Sequence, residues 1–281
     1  MKLLVPVNFT PHSGAAVRFA IQWAAQQPVA ITYLHVLNIK HPGKFDDSFY
    51  KQYYQDEMAA HHQKLEAFVK DIYSQCGAVT GNVSFQVKEG AVPYETIMAY
   101  CNEHPSIEGV VVSTAGGGMV NQLLAVNTKA FVQHSEVPVF VVPKNYKNNP
   151  IGNILYITDL RCYEEEIRTV IHFARELKAN VQVLHFSEFE EIRNNEKLIE
   201  KALTTLHNDG IQFRISVPDP GLSFSNNVQA YIDQWKPSLL MMFTEQGRSL
   251  FERLMNPSKS QELTFNTSVP LMIGKKPLHQ H

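Results

Sequence analysis

Two tandem α/β domains, each built on a parallel sheet wound from both sides, are predicted by three observations. Short apolar runs alternate with amphipathic stretches of helix length. That alternation occurs twice along the chain. Each occurrence closes on a Val-Pro-apolar run, Val137-Pro138-Val139-Phe140 and Val269-Pro270-Leu271-Met272. Strands alternating with helices imply βαβ crossovers, and hence parallel pairing.

The elements of the first half follow in order. Leu3 to Val7 is a strand. Ser13 to Gln26 is a helix, with Val17, Ala20, Ile21 and Ala24 on one face and Ser13 in its N-cap region. Ala30 to Val36 is the second strand. A long helical pattern runs from about Ser48 to Cys76. Val83 to Val87 is the third strand and Pro93 to His104 the next helix. Val110 to Ser113 lacks polar alternation, which marks a strand buried on both faces. A loop and helix follow from Gly116 to His134, and Val137 to Val142 closes the unit. A strand order of 3-2-1-4-5 is expected in each half. In that order a ligand site falls at the carboxyl ends of strands one and four, where the winding reverses.

The second half repeats the first. Lys2 to Phe9 is similar to Asn153 to Leu160. Ile21-Gln22-Trp23-Ala24 matches Ile171-His172-Phe173-Ala174, and His35 matches His185, both 150 positions apart. Later matches, Ala99-Tyr100 with Ala230-Tyr231 and Ser113 with Thr244, are 131 apart. The first half therefore holds some 19 extra residues between His35 and Ala99, most naturally at 40–54. The polar run Lys144 to Pro150 reads as the linker. The expected domains are 1–147 and 148–281.

Composition narrows the function. A net charge of −2 gives no global positive field for nucleic acid or an anionic membrane. Three widely spaced cysteines, Cys76, Cys101 and Cys162, make neither a disulfide framework nor a CxxC zinc site, and fit a cytoplasmic protein. No apolar run approaches the roughly 20 residues that span a bilayer, and the opening apolar stretch reads as a strand rather than a leader.

One segment has phosphate-binding character. Gly116, Gly117 and Gly118 follow a buried strand and precede a helix, so backbone N–H groups there can approach an anion. Asn127 and Thr128 add donors. The segment is neither a Walker A loop nor a GxGxxG turn.

The opening LLVPVNFT, the His35-Val36 pair, the glycine loop and the closing SEVPVFVVP resemble a universal stress protein domain. ILYITDL, VLHF and TSVPLMIG resemble a second. The resemblance implies a tandem universal stress protein of Rossmann-like, adenine nucleotide alpha hydrolase-like fold. It also implies where nucleotide would sit. ATP-binding members carry an aspartate after strand one and a Gly-x2-Gly-x9-Gly-Ser/Thr loop. Here Asn8 stands at the aspartate, Ser113 at the first glycine and Gly116 at the second. At the third, counting forward reaches Val126 and counting back from Val137 reaches Ala125. Neither is glycine, and a side chain there blocks close backbone approach. In the second half Asp159 holds the aspartate position, but the loop reads Thr244-Glu245-Gln246-Gly247-Arg248. Only Gly247 remains as a loop glycine, and Arg248 as a nearby cation.

The candidate nucleotide site is therefore Asn8, Val36, Ser113, Gly116, Gly117, Gly118, Asn127 and Thr128 in one half, and Asp159, Gly247 and Arg248 in the other. The expected function is a non-catalytic stress-response protein acting by binding or association, with no required cofactor and no metal. ATP or AMP binding with slow hydrolysis is the alternative. The resemblance further implies self-association through the last strand of each domain, within one chain and between chains. His35 and His185, at equivalent strand ends, are expected to hydrogen-bond a neighbouring loop. His61 and Glu57, four residues apart, are expected on a solvated surface. The aromatic residues Phe45, Phe49, Tyr50, Tyr53 and Tyr54 are expected in the insertion, as a lid or a contact surface.

Overall fold

The computed structural model describes residues 1–39, 47–113, 134–187, 192, 196–208, 211–244 and 269–275. The chain divides into two compact units, Met1–Asn148 and Asn149–His281.

Unit 1 runs β1 (Lys2–Pro6), α1 (Pro11–Gln26), β2 (Ala30–Leu37), α2 (Asp47–Gln75), β3 (Val83–Glu89), α3 (Pro93–Glu103), β4 (Gly109–Ser113) and β5 (Val139–Val142). Its strands pair in parallel in the order β3-β2-β1-β4-β5. Unit 2 runs β6 (Asn153–Thr158), α4 (Tyr163–Leu177), β7 (Asn180–Phe186), α5 (Glu196–Asn208), β8 (Gln212–Ser216), α6 (Phe224–Trp235), β9 (Leu239–Thr244) and β10 (Leu271–Lys275). Its order is β8-β7-β6-β9-β10, again all parallel. Counted within each unit, both orders are 3-2-1-4-5. Each unit thus has its winding reversal between its first and fourth strands.

Central strands lie between helices and are apolar throughout. All five residues of β4 are buried, as are all four of β5. In unit 1, Phe19 and Trp23 of α1 pack on Phe140 of β5, with ring centroids 5.7 and 5.0 Å away. Gly109 opens β4 beneath that cluster. A Cβ there would stand 2.9 Å from Phe140 Cε2 and 3.0 Å from Leu3 Cδ2, so only glycine fits without a shift. In unit 2 the entry to β6 is tied by Ser238. Its Oγ accepts from the Gly152 and Asn153 N–H groups and donates to the Asn153 carbonyl, all at 2.9 Å.

Two local expectations shift. Helix α1 is capped by Thr10, not Ser13: Thr10 Oγ1 accepts from the Ser13 N–H, and Ser13 lies buried inside the first turn. Pro11 at the first helical position explains the choice, since its fixed φ and missing N–H suit that place. Strand β5 begins at Val139 rather than Val137. Ser135 Oγ bonds both the carbonyl and the N–H of Val137 and holds that residue in a turn.

Helix α2 includes the aromatic residues from Phe49 onward. It has 29 residues, hence a length of roughly 43 Å at 1.5 Å per residue. Strand β2, at eight residues, spans only about 26 Å. The helix docks through its carboxyl half, where Leu65, Val69, Ile72 and Tyr73 are buried and the Tyr73 hydroxyl lies 3.1 Å from that of Tyr33. No residue from 48 to 64 is buried. The amino-terminal half therefore outruns the sheet.

Candidate functional site

The carboxyl ends of β1, β2 and β4 meet at one edge of unit 1. The register pairs Pro6 with Leu34, and the Val7 N–H donates to the Leu34 carbonyl at 2.8 Å. Leu4 pairs with Val110 on the other side. Continuing those registers sets Asn8, Val36 and Ser113 along the same edge. The equivalent edge of unit 2 carries Asp159, His185 and Thr244, from the pairings Thr158 with His185 and Tyr156 with Met241.

A left-handed residue follows Asn8 and Asp159 in both units. Phe9 has φ 59° and Leu160 has φ 65°. Non-glycine residues adopt such angles rarely and with strain, so packing must hold them. Phe9 lies with its ring centroid 4.4 Å from that of His35 and 5.7 Å from that of Phe68, while Lys64 Nζ sits 4.5 Å from the ring centroid. Leu160 is buried with Tyr163, Ile199 and Ala202, and its N–H donates to Thr158 Oγ1 at 2.9 Å. This turn swings the next segment away from the sheet and leaves Asn8 and Asp159 at its mouth.

The two histidines hold the carbonyl just before that turn. His35 Nδ1 lies 2.8 Å from the Val7 carbonyl, and His185 Nδ1 lies 2.9 Å from the Thr158 carbonyl. A carbonyl only accepts, so Nδ1 carries the proton in each ring. Burial pushes the His35 pKa below the ordinary histidine value, and the charges of His61 and Lys64 push the same way, against the Val7 hydrogen bond. The expected shared structural role of both histidines is what their geometry shows, with one difference: His35 bonds Val7, just past β1, whereas His185 bonds Thr158, the last residue of β6 rather than a loop.

The candidate nucleotide residues are differently engaged. Asn8 is exposed. Its one side-chain oxygen accepts from the Thr10 hydroxyl at 2.7 Å and from the Thr10 N–H at 3.4 Å. Two donors occupy both lone pairs of the amide oxygen, leaving the NH2 group for a ligand. An aspartate would keep a second oxygen. Ser113 is buried, and its hydroxyl donates to the Val142 carbonyl at 3.0 Å, tying β4 to β5. Val36 is half-buried in the β2–β3 ladder opposite Lys88. In unit 2 Asp159 Oδ1 accepts from the Arg161 N–H at 3.1 Å. Gly116, Gly117, Gly118, Asn127, Thr128, Gly247 and Arg248 lie outside the described residues.

One contact escaped the sequence reading. His61 leans onto the edge: its Nδ1 lies 3.1 Å from His35 Nε2, and its Nε2 lies 3.9 Å from Glu57 Oε2. The signal available was the i, i+4, i+8 spacing of Glu57, His61 and Leu65 on the face that docks at Leu65. A buried pair in unit 2 also went unseen. The Tyr156 hydroxyl donates to Glu166 beneath the Asp159 edge, and both residues are buried. No group of three or more histidine, cysteine or acidic side chains positioned to hold a metal ion occurs among the described residues. No helix among them is long and apolar enough to cross a membrane.

The fold and edge define a tandem, doubly wound α/β protein whose candidate ligand site lies at the winding reversal. The universal stress protein family model matches residues 1–143. The chain belongs to the universal stress protein family, as a member with two tandem units. No curated protein matches its sequence. Among solved structures, a universal stress protein from Archaeoglobus fulgidus DSM 4304 is similar in fold, with TM-score 0.64 and 15% identity, covering 98% of this chain and 96% of that one. A functionally unknown protein from Pseudomonas aeruginosa PAO1 has TM-score 0.61 and 12% identity, covering 98% and 92%. The cytoplasmic domain of a prokaryotic cation chloride cotransporter has TM-score 0.52 and 10% identity, covering 97% and 94%. At these identities the likeness concerns the fold, and a fold of this kind serves several functions.

Proposed function

We propose that this chain is a non-catalytic stress-response protein that acts by binding or association, and that both of its nucleotide sites are degenerate. The observation that carries the reading is Asn8. It replaces a carboxylate with an amide whose oxygen is already satisfied by Thr10. The hydroxyl of Ser113, at the first loop-glycine position, is likewise committed to Val142. The missing third glycine at Ala125 or Val126 adds to this, since a Cβ there hinders close backbone approach to phosphate. In unit 2, which we read as a second universal stress protein domain, Asp159 keeps the carboxylate, but Glu245 stands in the loop segment and would repel phosphate.

Self-association belongs to the same proposal, through β5 and β10, each the last strand in its own unit's order. Three free cysteines agree with a cytoplasmic location.

Nucleotide extracted from freshly purified protein by heat, and resolved by chromatography, tests this reading. Less than a tenth of an equivalent of adenine nucleotide per chain is expected, with no phosphate release above a buffer blank. Stoichiometric ATP or AMP, or a turnover abolished by Asp159→Ala, would overturn it in favour of an ATP- or AMP-binding member.

A further inference from the structure

None of residues 48–64 of α2 is buried, whereas Leu65, Val69, Ile72 and Tyr73 anchor the carboxyl half. Among the described residues, the amino-terminal half meets the sheet's carboxyl edge through Lys64, whose Nζ sits 4.5 Å from the Phe9 ring centroid, and through His61, whose ring centroid lies 6.2 Å from that of Phe9. Burial, and then the nearby charge of Glu89, the last residue of β3, push the Tyr54 pKa up. His61 Nδ1 meets His35 Nε2 at 3.1 Å, with the two ring planes parallel to within 6° and the centroids 5.1 Å apart.

The donor assignment is fixed by chemistry. His35 Nδ1 must carry a proton to bond the Val7 carbonyl. Its Nε2 is then a bare acceptor, and His61 Nδ1 is the donor. One added proton is tolerated, because it can reside on His61 Nε2, 3.9 Å from the Glu57 carboxylate. A second proton must go to His35 Nε2. Two N–H groups would then face each other, two like charges would adjoin, and the contact would break.

We propose that the His35–His61 hydrogen bond is a proton-operated latch that holds the overhanging half of α2 against the carboxyl edge of unit 1. The groups facing His35 are consistent with this role. From α2 they are His61 and Lys64, with Glu57 behind His61. From the end of β1 it is the Val7 carbonyl, and on β3 the register partner is Val87, next to Lys88 and Glu89. Burial and the neighbouring cations keep His35 neutral until the pH falls below the ordinary histidine range. The latch is closed near neutrality and opens in acid. Its opening frees the segment beside Asn8, whether or not a nucleotide ever binds there.

Amide hydrogen exchange of the full chain between pH 8 and pH 5, corrected for intrinsic rates, tests the latch without any ligand. In the wild type, protection of residues 48–61 falls by severalfold to about tenfold on acidification, the worth of one hydrogen bond. Residues 65–75 keep theirs. His61→Gln stays protected at both pH values. Its amide donates to neutral His35 and, after flipping, accepts from charged His35. His61→Phe is unprotected at both. Loss of the pH effect in the wild type, or its survival in His61→Gln, overturns the proposal, and the glutamine arm decides even if the phenylalanine variant fails to fold.

Discussion

Gly109→Ala probes the packing beneath the candidate site of unit 1. The added Cβ would stand 2.9 Å from Phe140 Cε2 and 3.0 Å from Leu3 Cδ2. Carbon atoms prefer about 3.5–4.0 Å, so one neighbour must move by roughly 0.5–1 Å. Neither is free to do so. The Phe140 ring is fully buried between Phe19 and Trp23, and Leu3 is fully buried in β1. Overpacking of this kind costs about 1–3 kcal/mol. Removing a glycine from the unfolded chain returns about 0.4–1 kcal/mol. A net loss of about 1–2 kcal/mol follows, or roughly 3–8 °C in Tm for a unit of this size. The chain's two tryptophans fall one in each unit. With Trp235→Phe as background, Trp23 fluorescence reports urea unfolding of unit 1 alone. Shortening the neighbour with Phe140→Leu relieves the clash, so the double mutant should lose less than the sum of the singles, by at least 0.5 kcal/mol. A neutral Gly109→Ala, or strict additivity with Phe140→Leu, would refute the close approach of β4 and β5.

Three other outcomes are expected. Ser238→Ala removes one hydroxyl that serves two N–H groups and a carbonyl; unit 2 should lose about 1–2 kcal/mol, read by Trp235 fluorescence with Trp23→Phe as background. Because the folded state lowers the His35 pKa, unfolded chain binds more protons as pH falls below about 6.5. The stability due to neutral His35 is whole above that value and lost below it. Urea midpoints at pH 7.5 and 5.5 should therefore differ more for the wild type than for His35→Asn. Burial pushes the Cys101 thiol up to about 11, so alkylation of native protein at pH 7.5 should leave Cys101 unmodified while urea-unfolded protein reacts at all three cysteines.

The fold was largely legible in the sequence because its signals are long-range and repeated. Apolar runs such as Val110 to Ser113 are read as buried strands without knowing their neighbours, and β4 runs Gly109–Ser113. The spacing of His35 and His185 exposes two copies of one unit. Helix α2, expected from about Ser48 to Cys76, runs Asp47–Gln75. Boundaries set by single side-chain bonds were less legible. Thr10 competes with Ser13 for the cap, and the winner depends on Pro11 fixing the first turn. The site was legible only as a set of positions. That Asn8 and Ser113 lie at one sheet edge follows from strand order. That the oxygen of one is satisfied by Thr10 and the hydroxyl of the other by Val142 follows from rotamers, which no spacing encodes. The approach of His61 to His35 joins a helix to a strand 26 residues earlier. It depends on how far along the sheet α2 docks.

Titration calorimetry of ATP, ADP and AMP into the wild-type chain, beside the same titrations into Asn8→Asp, tests the central claim most directly. A degenerate unit 1 site predicts no saturable heat up to 1 mM nucleotide for the wild type, and at most weak binding for Asn8→Asp, because the third loop glycine is still missing. Saturable wild-type binding with a Kd below about 100 μM, equivalent to roughly 5.5 kcal/mol, would contradict it.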